Sequence, residues 1–312
     1  MHLKPSENTR LFGMSFYFNE IIKLYNQKLM PNKILLSGKK GLGKSTLAYH
    51  IVNYILSQSE DCKYDVDNFN INKKNKSYLL IQNHCHPNLY LIDLLDEKKT
   101  IDVNQIRQMI AYTNKSSFNN LPRFILIDNI ENLNNNSVNA LLKIVEEPNS
   151  GIHFILINNI EKKILPTLKS RCLIFKINFT FHESINITNQ LLEKNIFNLI
   201  NNDLINYYIT PGEIMNLIDL AAEKNINLLE YDLPGLLKML IINGYYKKNL
   251  LIKNMIINFI ELFFLKEYRL TNKKNSLLLM YHNFIDKIHY MKKFNLDEES
   301  LFLEFKSKLL NE

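Results

Sequence analysis

Gly38, Gly43, Lys44 and Ser45 fill the spacing G-x-x-x-x-G-K-[ST] within LLSGKKGLGKST, Leu35 to Thr46. Residues of these types at this spacing cradle phosphate. Glycines let the backbone turn its N–H groups inward, and a helix that starts at the lysine adds positive potential. Lys44 would reach the β- and γ-phosphates, and the Ser45 hydroxyl would ligate Mg²⁺. Three of the eight glycines in the chain, Gly38, Gly41 and Gly43, crowd into this one loop. The expected nucleotide contacts are therefore Gly38, Gly41, Gly43, Lys44, Ser45 and Thr46, with ATP or ADP and Mg²⁺ as the ligand.

Such a cradle needs a second acidic group at the end of an apolar strand. RFILIDNIENL supplies Asp128 at the C-terminal end of a run that reads as a buried strand, where sheets of this kind bind ligands. Asp128 is expected to hold Mg²⁺ directly or through water; the alternative is that it caps the next helix. Hydrolytic sites of this type usually follow that aspartate with a glutamate that orients water. Here the next residue is Asn129, which takes no proton at neutral pH, and Glu131 stands two positions further on. Asn158 and Asn159 end the strand HFILINN, where either could sense the γ-phosphate; Asn158 is the candidate carried forward, and strand-end capping is the alternative.

The elements that must position these groups alternate. FYFNEIIKLYNQ is helical, KILLSG a buried strand and KSTLAYHIVNYILSQ an amphipathic helix. Ser59 to Ser77 is polar and reads as a surface loop. Then come the strand NLYLID, the helix VNQIRQMIAYTNK, the strand RFILID, the helix NNSVNALLKIVEE and the strand HFILIN. Strands alternating with helices imply a parallel sheet covered on both faces. After Asn178 the periodicity is helical, with Pro211-Gly212 as punctuation and four candidate helices beyond Asn225. The expected organisation is an α/β nucleotide domain over 1–178, a small helical lid over 179–224 and an all-α domain over 225–312.

Composition sets bounds. Hydrophobic residues make up 46% and charged residues 22% of 312, as in an ordinary globular protein. The polar start MHLKPSENTR has no apolar leader core, and the most apolar run, Met255 to Leu265, is too short for a bilayer and contains Glu261. A cytoplasmic protein is expected. The formal charge of +7 is compatible with a nucleic-acid partner, and equally with the Asn, Ile and Lys bias of an AT-rich genome. Cys62, Cys85 and Cys172 are scattered, and HCH at 84–86 cannot close a tetrahedral site, so neither disulfides nor zinc are expected.

NALLKIVEEP, Asn139 to Pro148, followed by ILPTLKSRC, Ile164 to Cys172, resembles the signature of the bacterial clamp-loader family of the AAA+ class. PSENTRLFG, HPNLYLID and IDVNQIRQM narrow the resemblance to its delta-prime branch, in a form without zinc-binding cysteines. It covers most of the first 178 residues and weakens beyond them. The resemblance implies an AAA+ P-loop fold with a parallel sheet, a helical lid and an all-α C-terminal collar. It implies a hetero-pentamer with gamma/tau and delta subunits that loads a sliding clamp onto primed DNA. It also implies that Arg171, in Ser170-Arg171-Cys172, acts in trans as an arginine finger on a neighbour's ATP; the alternative is that Arg171 makes an internal salt bridge. No polymerase site is visible in the chain. Related lids often read P-G-R, whereas here Glu213 follows Pro211-Gly212, a carboxylate that would repel a triphosphate. With Asn129 this implies weak or absent intrinsic hydrolysis; a gamma/tau-like motor is the alternative. Asn139, Lys143 and Glu146 are expected on one helix side, as a solvated face or as a contact to a neighbouring subunit or DNA.

Overall fold

The computed structural model describes residues 4–95, 98–115, 119–146, 149, 151–160, 164–206, 208–247, 249–271, 274–294, 296 and 299–309. The chain divides into two compact units. The first runs to Glu193 and takes in Thr210–Met215; the second holds Lys194–Ile209 and the residues from Asn216 onward.

In the first unit the order is α1 (Ser15–Asn26), β1 (Lys33–Gly38), α2 (Lys44–Leu56), α3 (Lys76–Gln82), β2 (Leu89–Ile92) and α4 (Val103–Thr113). It continues with β3 (Arg123–Ile127), a 3-10 turn (Ile130–Asn132), α5 (Asn135–Glu146), β4 (Ile152–Asn159), α6 (Pro166–Lys169), β5 (Leu173–Lys176) and α7 (Phe181–Leu192). The five strands form one parallel sheet in the order β2-β3-β4-β1-β5. The parallel sheet with helices expected from the alternation is therefore present. Because successive strand side chains point to opposite faces, each strand feeds two cores. Leu36, Phe124, Leu126, Ile155 and Ile157 pack with α1 and α2, while Leu35, Ile125, Ile127, Phe154 and Leu156 pack with α4 and α5. This is why β3 reads as an unbroken apolar run: all five of its residues are buried.

Local chemistry sets the helix ends. Asp102 and Gln105 form a capping box at the start of α4, and Thr180 and Glu183 form another at α7. The C-terminal carbonyls of α4 are met by a buried arginine. Arg123 donates to the carbonyls of Tyr112, Thr113 and Lys115 and lies over the Tyr112 ring.

The polar segment 59–77 is more than a surface loop. Tyr64 and Ile71 are buried, Tyr64 stacks on Phe18, and the segment's end already begins α3. Two apolar residues spaced among asparagines show no periodicity, so nothing local marks them as core. α3, α6 and β5 are likewise short, and they lie outside the elements expected from pattern.

The second unit is helical: α9 (Leu233–Ile242), α10 (Leu250–Leu270), α11 (Lys274–Phe294) and α12 (Glu299–Leu309). α8 (Pro211–Lys224) begins in the first unit and continues in the second. The four helices expected beyond Asn225 correspond to α9–α12; Asp297, Glu298 and Leu310 of the last stretch lie outside the described residues. Phe263, Phe264, Phe284 and Phe305 build an edge-packed aromatic core among α10, α11 and α12. Asp203 accepts the Leu233 N–H at the start of α9 and pairs with Lys266 of α10.

His50, fully buried in α2, ties the N-terminal segment down. Its Nε2 faces the Asn8 carbonyl at 3.0 Å, so that nitrogen carries the proton and Nδ1 accepts from the Tyr64 hydroxyl at 2.8 Å. Burial lowers its pKa from 6.5 to about 4, against the opposing hydrogen bond to Asn8. A depressed folded-state pKa contributes stability that is fully present above the unfolded value and is lost as pH falls through the folded one. Urea unfolding is therefore expected to lose up to about 3 kcal/mol between pH 7 and pH 4 through this group. His50→Gln, which takes no proton, should remove that part of the pH dependence.

Candidate functional site

The cradle lies at the C-terminal end of β1. Gly38 ends the strand opposite Asn159 of β4, and the chain re-enters a helix at Lys44. Gly41 and Gly43 hold φ of +82° and +85°, which a residue with a Cβ rarely adopts. Gly43 is the N-cap of α2 and offers its first-turn N–H groups no side chain, the arrangement in which an anion satisfies them. Thr46 follows in that first turn, half-buried.

Lys44 is only 4% exposed. Its ammonium donates to the carbonyls of Gly38 at 3.0 Å and Lys39 at 2.5 Å, and to Asn159 Oδ1 at 2.9 Å. Ser45 Oγ donates to Asp128 Oδ2, so the two expected Mg²⁺ ligands are in contact across α2 and β3. Burial, with nearby Asp93, pushes the Asp128 carboxyl up to about 6, while the Ser45 hydrogen bond and Lys44 oppose the rise. A hydroxyl and a carboxylate are hard oxygen donors that fit Mg²⁺. Among the described residues no three His, Cys, Asp or Glu side chains converge on a metal position. Ser45 and Asp128 would therefore hold Mg²⁺ together with phosphate oxygens and water.

The structure brings Asn159, not Asn158, to the cradle. The two are neighbours in β4 and point to opposite faces. Asn158 turns toward Ser37 Oγ at 3.3 Å on the other side of the sheet. Asn159 accepts from Lys44 and donates through Nδ2 to Asn129 Oδ1 at 3.0 Å and Glu131 Oε1 at 2.7 Å. Its backbone N–H meets Glu131 Oε2 at 3.1 Å. Glu131, which its distance in sequence from Asp128 left without a role, thus holds Asn159 in place. Asn129 sits at φ +55° and donates its Nδ2 to Asp93 Oδ1 at 2.7 Å. Asp93 follows β2 and ends the HPNLYLID stretch; an acidic residue at a strand end is a signal that could have found it. A directed chain of bonds, Lys44 to Asn159 to Asn129 to Asp93, crosses the end of the sheet.

The start of α8 packs on the same loop. Gly212 donates its N–H to the Gly41 carbonyl at 2.9 Å, and Thr210 Oγ1 donates to the Lys40 carbonyl at 3.0 Å. A Cβ on Gly212 would meet Gly41 Cα at 2.6 Å, so only glycine permits this approach. Glu213 does not aim its carboxylate freely at the cradle. It accepts the Thr210 N–H at 2.8 Å while Thr210 Oγ1 accepts the Glu213 N–H at 3.3 Å, a reciprocal cap. The Glu213 carboxylate thus caps the start of α8 at a position that adjoins Gly41.

Arg171 is elsewhere. Leu173 of β5 pairs with Ile34 of β1, so Arg171 lies at the strands' N-terminal end. Four strand residues at ~3.3 Å each, roughly 13 Å, separate the level of Leu173 from that of Gly38. Its guanidinium donates to the Thr167 carbonyl at 2.7 Å and to Glu146 Oε1 at 2.8 Å. The pair is half-exposed, and such pairs contribute only about 0–1 kcal/mol. Asn139, Lys143 and Glu146 all lie on α5 at the expected spacings. Asn139 and Lys143 line a groove of about 580 Å³ between α4 and α5, together with Arg107, Asn136, Val103 and Ile110.

Residues 15–180, just over half of the chain, match the family described as "DNA polymerase III, delta subunit". The chain belongs to the DNA polymerase III delta-subunit family. That family stands within the AAA+ clamp-loader group, and its match stops before the second unit. Relatives include the DNA polymerase III subunit gamma of Buchnera aphidicola subsp. Schizaphis graminum, 30% identical over 72% of this chain and 62% of that protein. A DNA polymerase III subunit delta' of Buchnera aphidicola subsp. Baizongia pistaciae is 31% identical over 49% of this chain and 48% of its own length. The delta' subunit of Pseudomonas aeruginosa is 30% identical over 44% and 40%. The chain thus spans less than two thirds of the length of these relatives. Among the described residues, no helix is long and apolar enough to cross a membrane.

Asn129→Glu would set a third carboxylate against Asp93 and Asp128. The full chain is expected to lose about 2–4 kcal/mol in urea unfolding at pH 8. Most of it should return in Asp93→Asn/Asn129→Glu, and at pH below about 5, where the added carboxylate protonates.

Proposed function

We propose that this member of the delta-subunit family is a delta-prime clamp-loader subunit that holds ATP or ADP with Mg²⁺ without turning it over efficiently. In this reading it activates hydrolysis on a neighbouring subunit through Arg171. The single observation that carries the reading is the separation of Arg171 from the chain's own cradle by the length of the sheet. A half-exposed arginine at that end cannot reach its own Gly38–Ser45 loop, yet it is free to meet phosphates presented by another chain. A guanidinium there offsets negative charge that develops on a transferring phosphoryl group.

The weak hydrolysis follows from the cradle's chemistry. Lys44, Ser45 and Asp128 suffice to bind nucleotide and Mg²⁺. Water activation needs an oriented carboxylate, and position 129 holds an amide committed to Asp93 and Asn159. Glu131 spends both oxygens on Asn159. Its partners in this reading are gamma/tau and delta subunits in a hetero-pentamer, the sliding clamp, and primed DNA through the assembly, all in the cytoplasm. The lid over 179–224 and the collar over 225–312 would serve that assembly. Polymerase activity would belong to the holoenzyme. A hydrolysing gamma/tau-like motor is the second reading, favoured by the complete Lys44–Ser45–Asp128 set and by the 30% identity to a gamma subunit.

The two readings separate in the reconstituted loader, measured as clamp- and DNA-stimulated ATP turnover. Arg171→Ala is expected to lower turnover by about 10²-fold or more, as loss of an arginine finger does. Lys44→Ala should abolish nucleotide binding by this chain and cost turnover much less. The opposite ranking identifies a motor.

A further inference from the structure

We propose that Glu146 is a positioning residue for Arg171, fixing the plane of its guanidinium; this rests on the reading of Arg171 as a group that acts on a neighbouring chain. Glu146 is the last residue of α5, where a carboxylate faces the negative end of the helix dipole. The helix end already has a cation, since Lys33 Nζ lies 3.4 Å from the Glu146 carbonyl. The Glu146 side chain is therefore not needed there for the helix, and its place is unfavourable for it.

What the carboxylate does instead is grip Arg171 from one side. Glu146 Oε1 takes an Nη2 proton and the Thr167 carbonyl takes an Nη1 proton. A guanidinium has five N–H donors in one plane, so two acceptors fix that plane, and among the described residues the other donors are left for a phosphate contact. Thr167 is held by α6, whose first residue Pro166 has a fixed φ. Glu146 is anchored by α5, whose Leu141 and Val145 are fully buried. Both acceptors thus stand on helices of the first unit. With side chains 36% and 50% exposed, Arg171 and Glu146 remain accessible to a partner.

The test uses the reconstituted loader with Glu146→Ala, Glu146→Gln, Arg171→Ala and the Glu146→Ala/Arg171→Ala double variant. Both kcat and KM of stimulated ATP turnover are read, with thermal melting of the full chain. Glu146→Ala is expected to lower kcat about 10-fold, as loss of an orienting partner typically does, with KM little changed. Glu146→Gln keeps an acceptor oxygen and should recover most of the loss. In the Arg171→Ala background, Glu146→Ala should do nothing further, because the group it orients is gone. Melting should move by less than about 2 °C. A kcat unchanged in Glu146→Ala, or lowered by the same factor with and without Arg171, overturns the positioning role. If Arg171→Ala itself leaves turnover intact, the arginine-finger reading falls too.

Discussion

A buried ammonium governs the C-terminal end of the sheet. Lys44 cannot lie 4% exposed without acceptors on every side, because an unpaired charge there would cost several kcal/mol. Two acceptors come from the loop's own carbonyls, which is possible only because glycines let that loop turn back on itself. The third is Asn159, and its amide must point one way: oxygen to the lysine, nitrogen to Asn129 and Glu131. That choice orients the Asn129 amide in turn and leaves its nitrogen for Asp93. One buried charge thus dictates the side-chain orientations of four neighbouring residues on three strands and the loops that follow them.

Parallel strands give the sheet two chemically different ends. At the C-terminal end, β1, β3 and β4 deliver the loop, Asp128 and Asn159 to one point. At the N-terminal end, α5 and α6 finish side by side and present Arg171. A single sheet therefore keeps the glycine loop and Arg171 at opposite ends of its strands, too far apart to meet.

The approach of Gly212 to Gly41 adds a backbone restraint on the cradle from the start of α8. Thr210 and Glu213 cap that helix, and the Thr210 hydroxyl also meets the Lys40 carbonyl. The reciprocal hydrogen bonds of Thr210 and Glu213 are the local capping that a helix start favours.

Much of this was legible in residue order. The phosphate cradle, the alternation of strands and helices, the parallel sheet and Asp128 at a strand end all follow from local spacing and periodicity, which act within a few residues and need no partner from elsewhere. The short elements were not legible, because α3, α6 and β5 are too brief to show a period and are held by what they pack against. Nor could order alone choose between Asn158 and Asn159. That choice depends on which face of β4 looks toward α2, and adjacent strand residues face opposite ways. The same holds for Asp93 against Asn129, for Glu131 against Asn159 and for Glu146 against Arg171. Each pairing joins segments distant in sequence or turned by an unusual backbone angle, so only the closed sheet, with its register, brings them within hydrogen-bonding reach.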